Sequence, residues 1–281
     1  MNINWFPGHM AKTLKNIEQY LKVVDLVIET ADARIPSSSR NPELDKIIKA
    51  RKPRLLLLNK ADIADPKVTD LWLEHFKEQD IACLATNSKD RKSIKKIINE
   101  AKAIVSKRRE ENQSKAKKDV KIMIVGIPNT GKSTLINTIV GKKASKTSNR
   151  PGVTRGPQWV KTKDKAVKLL DMPGVLWPKL ESETEQFNLA ATGAIKDTLI
   201  PVENVAYYLF EFLIENYPEA LKERYKLDSL DEHPYELYLA AAKNRGCIMS
   251  GAKVDENRFA KLLLEEFRNN KIARISLEKP E

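Results

Sequence analysis

Only two cysteines occur among 281 residues, and no apolar run is long. Cys83 and Cys247 sit in apolar stretches without metal-ligand spacing, so they read as buried free thiols of a reducing compartment, with the cytoplasm expected. VVDLVI at 23–28 and LLLL at 55–58 are far too short to cross a bilayer, so no membrane association is expected. The opening stretch MNINWFPGHMAK lacks the apolar core and cleavage pattern of a secretory signal. Aromatic side chains are sparse at 6%. Those that suggest base stacking, Trp5, Phe6 and Trp177, lack regular spacing and form no platform. Internal repeats are absent.

Charge, by contrast, is abundant and unevenly placed. The formal net charge is +12, and residues 106–155 alone carry +10, with thirteen Lys and Arg against three acids. Residues 1–105 net +5, residues 156–177 net +2 and residues 178–281 net −5. A basic stretch of this density points to a polyanionic partner larger than a small ligand, or to a solvated basic surface.

The hydrophobic pattern alternates strand and helix through the first 177 residues. Leu14, Ile17 and Leu21 recur at helical spacing, which predicts a helix over 11–21. Strands are expected at 23–29, 55–58, 81–85, 121–126, 159–162 and 166–171. Helices are expected at 43–50, 67–78, 94–105 and 132–140. Such alternation implies a largely parallel sheet covered on both faces. The polar segment 106–119 is either a helix extension or a linker. After Pro178 the pattern becomes helical only, at 203–216, 219–226, 235–243 and 256–269. The expected organisation is a domain over 1–177 and a smaller all-helical domain over 178–281.

Two motifs carry chemistry. GIPNTGKS at 126–133 follows an apolar strand and opens a helix, the full context of a phosphate loop. Its glycines let successive backbone N–H groups, among them those of Asn129, Thr130, Gly131 and Thr134, point at phosphate oxygens, and the helix adds its positive end. Lys132 is expected to reach the β- and γ-phosphates and Ser133 to hold Mg²⁺. Downstream, DMPG at 171–174 places Asp171 to contact the same Mg²⁺, and the Gly174 N–H to face the γ-phosphate. Thr154 is the best candidate for a second hydroxyl on the metal, ahead of Thr147 and Ser148. The second motif, NKAD at 59–62, follows a buried strand. Asp62 can accept from the guanine N1–H and amine, Asn59 can support the loop, and the Lys60 stem can cover the ring. TNS at 86–88 (Thr86, Asn87, Ser88) can add backbone contacts to the base. The order is unusual, because the base reader precedes the phosphate loop.

Together with WFPGHMAK at 5–12, DARIPSSSRNP at 32–42 and PGVT at 151–154, these motifs make the chain resemble the circularly permuted GTPases over nearly its whole length. The resemblance implies a permuted P-loop GTPase fold, GTP/GDP and Mg²⁺ as ligands, and a monomer. It implies action on the large ribosomal subunit through ribosomal RNA and ribosomal proteins, late in assembly. The place where Ras-like enzymes carry a water-positioning glutamine holds Val175, which implies weak intrinsic turnover or a water-positioner from elsewhere. His9 is the candidate, since a near-neutral imidazole can orient water or accept a proton; a structural role for it stays open. Asn129 suggests K⁺, by analogy with GTPases that use an asparagine there. Lys243, Arg245 and Lys253, with Lys271 and Arg274, are the expected RNA contacts of the helical part. A GTP-dependent RNA-binding placeholder, and a GTPase controlling a protein or membrane partner, remain the alternatives.

Overall fold

The computed structural model describes residues 9–49, 51–113, 119–141, 157–176, 180 and 182–281, with side chains for all but 9–12 and 49. The first half builds α1 (His9–Leu21), β1 (Leu26–Asp32), α2 (Pro42–Lys49), β2 (Arg54–Asn59), α3 (Pro66–Glu78), β3 (Cys83–Thr86) and α4 (Arg91–Glu111). The phosphate-loop strand β4 (Val120–Gly126) follows, then α5 (Lys132–Val140), β5 (Gln158–Lys161) and β6 (Val167–Asp171). The remainder is helical: α6 (Glu183–Ala191), a 3-10 turn (Asp197–Leu199), α7 (Val202–Asn216), α8 (Pro218–Tyr225), α9 (Pro234–Asn244) and α10 (Glu256–Arg268).

Local chemistry sets several boundaries. Asp65 accepts from the Lys67 and Val68 N–H groups, and Pro66 occupies the first turn of α3, where no N–H partner is needed. Asp90 caps α4 on the Ser93 N–H and Asp255 caps α10 on that of Arg258. The segment after Val105 is a helix extension as far as Glu111; residues 114–118 lie outside the described set.

The six strands lie in the order β3-β2-β1-β4-β6-β5. All neighbours are parallel except β5, which pairs antiparallel with β6 at the edge. The central strands β1, β2 and β4 are buried on both faces, as parallel sheets require, whereas the antiparallel edge strand β5 buries only Val160. On one face Leu26, Ile28, Leu55, Leu57, Ile122 and Ile124 meet α4 and α5. Under α3 the opposite residues Leu56 and Leu58 meet Trp72 and Phe76. On that same side Val27, Met123, Val125 and Leu170 share one apolar cluster with Ile17 and Leu21 of α1 and with Leu209, Phe210, Phe259 and Leu263 of the helical half. The core therefore runs without a break across residue 177. Val175 is buried in it, with its N–H on the Gly126 carbonyl and its own carbonyl accepting from Asn41.

Among the described residues no helix is long and apolar enough to cross a membrane. Cys83 and Cys247 are free, and burial raises both thiols, Cys83 to about 12.

Candidate nucleotide-binding site

Because five strands run the same way, their C-terminal ends deliver five loops to one edge of the sheet, where ligands bind in open α/β folds. Register fixes which residues meet. Asp32 pairs with Asn59 and Asn59 with Thr86 across β1, β2 and β3, while Asp171 stands beside Ile124 one turn short of the phosphate loop.

Asn59 ties the two motifs together. Its Nδ2 donates to the Thr130 carbonyl at 2.6 Å, and its Oδ1 accepts from the N–H and Oγ of Ser88 at 3.0 and 2.8 Å. One buried amide thus clamps the phosphate loop to the TNS loop. Gly131 makes the approach possible: with φ +92, a Cβ there would sit 2.1 Å from Asn59 Nδ2. The Thr130 hydroxyl points away from the loop's mouth, onto the Ile127 carbonyl and the Thr30 hydroxyl.

Lys132 folds back onto the loop that carries it, donating from Nζ to the carbonyls of Gly126 and Ile127 at 3.0 and 2.7 Å. Burial lowers its pKa to about 8, while the nearby Asp171 carboxylate acts to raise it. Gly174 presses close, since a Cβ on it would lie 3.0 Å from Lys132 Nζ and from the Pro128 nitrogen. Lys132, Asp171 and Gly174 therefore converge. The Asp171 carboxylate and the Ser133 hydroxyl at the start of α5 are oxygen donors of the kind that would suit Mg²⁺, while the Lys132 amine suits phosphate oxygens.

On the base side, Lys60 has φ +63 and donates from Nζ to Asp32 at 2.8 Å. Asp32 also receives the Arg34 fork, Nε at 2.9 Å and Nη2 at 2.8 Å. Burial acts to raise the Asp32 pKa, yet Arg34 and Lys60 overcome it and hold the carboxyl well below the usual range. Burial lowers the Lys60 amine against the pull of Asp32. The Asp62 carbonyl accepts from Arg274 Nε at 2.9 Å, and among the described residues its carboxylate has no partner.

These groups open into a cleft of about 1550 Å³. Asn59, Lys60, Asp62, Asn87 and Ser88 line its base side, and Asn129, Gly131, Lys132, Ser133 and Thr134 its phosphate side. Thr86, Thr130, Asp171 and Gly174 stand behind that surface. The His9 side chain, Thr154, Thr147, Ser148 and Trp177 lie outside the described residues; the His9 backbone begins α1.

The opposite wall belongs to the helical half, which sequence reasoning did not bring here. Asn129 donates from Nδ2 to the Gly193 carbonyl. Arg268 of α10 donates to the Ala190 and Ala191 carbonyls at 2.8 and 2.9 Å and pairs with Asp197, fixing the turn after α6. Lys196 and Lys261 join this wall. Arg34 was the other omission. It shares the DARIP stretch with its partner Asp32, but Phe267 and Leu277, which pack on it from the helical half, are remote in sequence. Two of the residues expected to contact RNA also hold the fold: Arg245 pairs with the buried Glu266 at 2.6 Å, and Arg274 donates from Nε to the Asp62 carbonyl while staying exposed.

A family profile described as 50S ribosome-binding GTPase matches residues 121–236, from the phosphate-loop strand into the helical half, and leaves the base reader outside. Ribosome biogenesis GTPase A of Priestia megaterium is 47% identical over 100% of this chain and 98% of its own. The Thermotoga maritima protein of that name is 32% identical over 99% and 95%. The GNP-bound crystal structure of YlqF from T. maritima superposes with a TM-score of 0.64 at 28% identity, covering 96% of this chain and 99% of that one. Its GDP-bound form gives 0.66 at 29% identity. Base reader first and phosphate loop second, joined through Asn59 on one sheet edge, is the permuted arrangement, and the chain belongs to the ribosome biogenesis GTPase A family.

Proposed function

We propose that this GTPase binds the maturing large ribosomal subunit in its GTP state, late in assembly, and leaves it on hydrolysis. The observation that carries the reading is the Asn59 clamp, which puts the guanine-selective Asp62 and the phosphate loop into one cleft whose far wall is the helical half. A phosphate held by Lys132 and Gly174 would then bias the contact between Asn129 and Gly193. That contact joins the nucleotide to the surface that would meet the subunit. The names of the relatives supply the partner.

In this reading residues 1–177 handle the nucleotide and residues 178–281 the subunit. Asp62 accepts from the guanine edge, Asn87 and Ser88 flank the base, and Lys132 neutralises the β- and γ-phosphates. Ser133, Asp171 and Thr154 would hold Mg²⁺, which stabilises charge on the transferred phosphoryl group when bound. Val175 is apolar and buried, so it positions no water, and His9 takes that role. Asn129 would hold K⁺ through its oxygen, in which case turnover is faster in K⁺ than in Na⁺. The basic segment 106–155 contacts ribosomal RNA phosphates. Lys243 at the end of α9 and Lys253 after the turn that exposes Ile248 and Met249 extend that contact to RNA and ribosomal proteins.

The test is GTP turnover by the protein alone, with large subunits, and with small subunits. A rise with large subunits only is expected, and the His9→Ala protein keeps its GTP affinity while losing that rise. Equal loss of affinity and turnover in His9→Ala would remove the catalytic role. No rise with mature or immature large particles would leave the protein an RNA-binding placeholder.

A further inference from the structure

The DARIP stretch at 32–36 opens the loop after β1, and nothing in the guanine or phosphate chemistry above uses it beyond the bond that Lys60 donates to Asp32. Arg34 is among the largest fully buried side chains of the protein, at 1% exposure, and it lines the nucleotide cleft. Its guanidinium is almost completely committed. Nε and Nη2 fork onto Asp32, and the plane lies 5.0 Å from the centre of the Phe267 ring in α10. Its backbone carbonyl accepts from the Leu277 N–H. Among the described residues only Nη1 has no hydrogen-bond partner, and it too is buried.

A buried guanidinium N–H without an acceptor is costly, and here the space beside it is the cleft. A ligand in the cleft can bring that acceptor. The guanine Watson–Crick edge belongs to Asp62, and the other polar edge of the base faces Asn59 and the TNS loop. The phosphates lie with Lys132 at the start of α5, past the end of β4, which is two strands from the β2 that leads into Lys60. What remains beside Lys60 and Asp32 is the sugar. We propose that Arg34 is a nucleotide-contacting residue that donates from Nη1 to a ribose hydroxyl, while its other two donors position Lys60 through Asp32. This rests on the guanine-site reading. Through the Phe267 stack the sugar contact also anchors the nucleotide to α10.

Full-length protein, Arg34→Lys and Arg34→Gln are titrated calorimetrically with GDP, GTP, 2′-deoxy-GDP and 3′-deoxy-GDP. The parent protein should prefer the ribonucleotide over one deoxy sugar. Arg34→Gln should lose about tenfold or more in GDP affinity, the scale of one charge-assisted hydrogen bond, and GTP should lose the same factor. The sugar preference should vanish with it. Arg34→Lys, a point cation without the fork, should bind weakly and retain little sugar preference. A sugar preference that survives in Arg34→Gln, or unchanged GDP affinity, overturns the proposal. Should Arg34→Gln fail to fold, equal binding of GDP and both deoxy sugars by the parent protein overturns it as well. Asp62→Asn separates the two layers, since it should trade GDP for xanthosine diphosphate while keeping the sugar preference. Absence of GDP binding by the parent protein would end the guanine-site reading and this one together.

Discussion

Burial brings the Lys132 amine to about 8, whereas in an unfolded chain it titrates near 10.4. Between those values the unfolded chain holds more protons than the folded one, so this lysine makes stability rise with pH from about 8 to about 10. Its unfavourable burial is felt in full below pH 8. A polyphosphate reverses the balance, because its charge favours the ammonium form. Nucleotide binding should therefore take up a proton above pH 8, and GTP affinity should fall between about pH 7.5 and 9.5. Calorimetry at pH 8.5 in buffers of different ionisation heat reads the uptake directly; a heat independent of buffer would contradict it. The carbonyls of Gly126 and Ile127 hold the amine meanwhile, so the lysine is stored at the site rather than recruited to it.

At the scale of elements, the segment after α10 acts as a strap across the base-reading loops. Arg274 holds the Asp62 carbonyl, and the Ser276 hydroxyl accepts from the Asp65 N–H at 3.1 Å. The Glu278 carboxylate accepts from the Ser37 and Ser38 N–H groups, the Ser38 hydroxyl and Asn188, while its carbonyl takes the Trp72 indole. Glu278→Ala would leave those donors without an acceptor and should destabilise by about 2–4 kcal/mol. Denaturant titration measures it, and a loss under about 0.5 kcal/mol would mean that water replaces the carboxylate. None of this strap is visible in local pattern, because Glu278 and Ser37 are 241 positions apart. The same limit hid Arg34 and Asn129–Gly193. The four later helices, by contrast, were legible from their apolar stripes, and the strands from runs such as LLLL leading into NKAD. The α6 helix escaped because its buried residues include Gln186 and Asn188 beside alanines, so no apolar stripe marks it. The phosphate loop and base reader were legible since their chemistry demands fixed short spacings; the wall opposite was not, since it answers to packing alone.

At the scale of the whole molecule, one of the buried clusters crosses the boundary expected near Pro178 and joins α1, one face of the sheet and the helical half. Heating should give a single cooperative transition, and residues 1–177 alone should lack one, because Val27, Met123 and Leu170 would lose their cover. Two resolved calorimetric transitions in the intact chain would show that the halves fold independently. GTP or GDP should raise that single transition as a unit, since the cleft is walled by both halves.

The strand order also has a consequence for synthesis. β1 is buried along its whole length between β2 and β4, but β4 is made some sixty residues after β2. At translation speed the nascent chain spends roughly 2–8 s with a complete β1-β2-β3 half and the β4 side of β1 bare. An unpaired flat edge of that kind is a template for the wrong strand. The permutation therefore leaves the finished site unchanged in space while lengthening the interval during which the growing chain depends on its cell for protection.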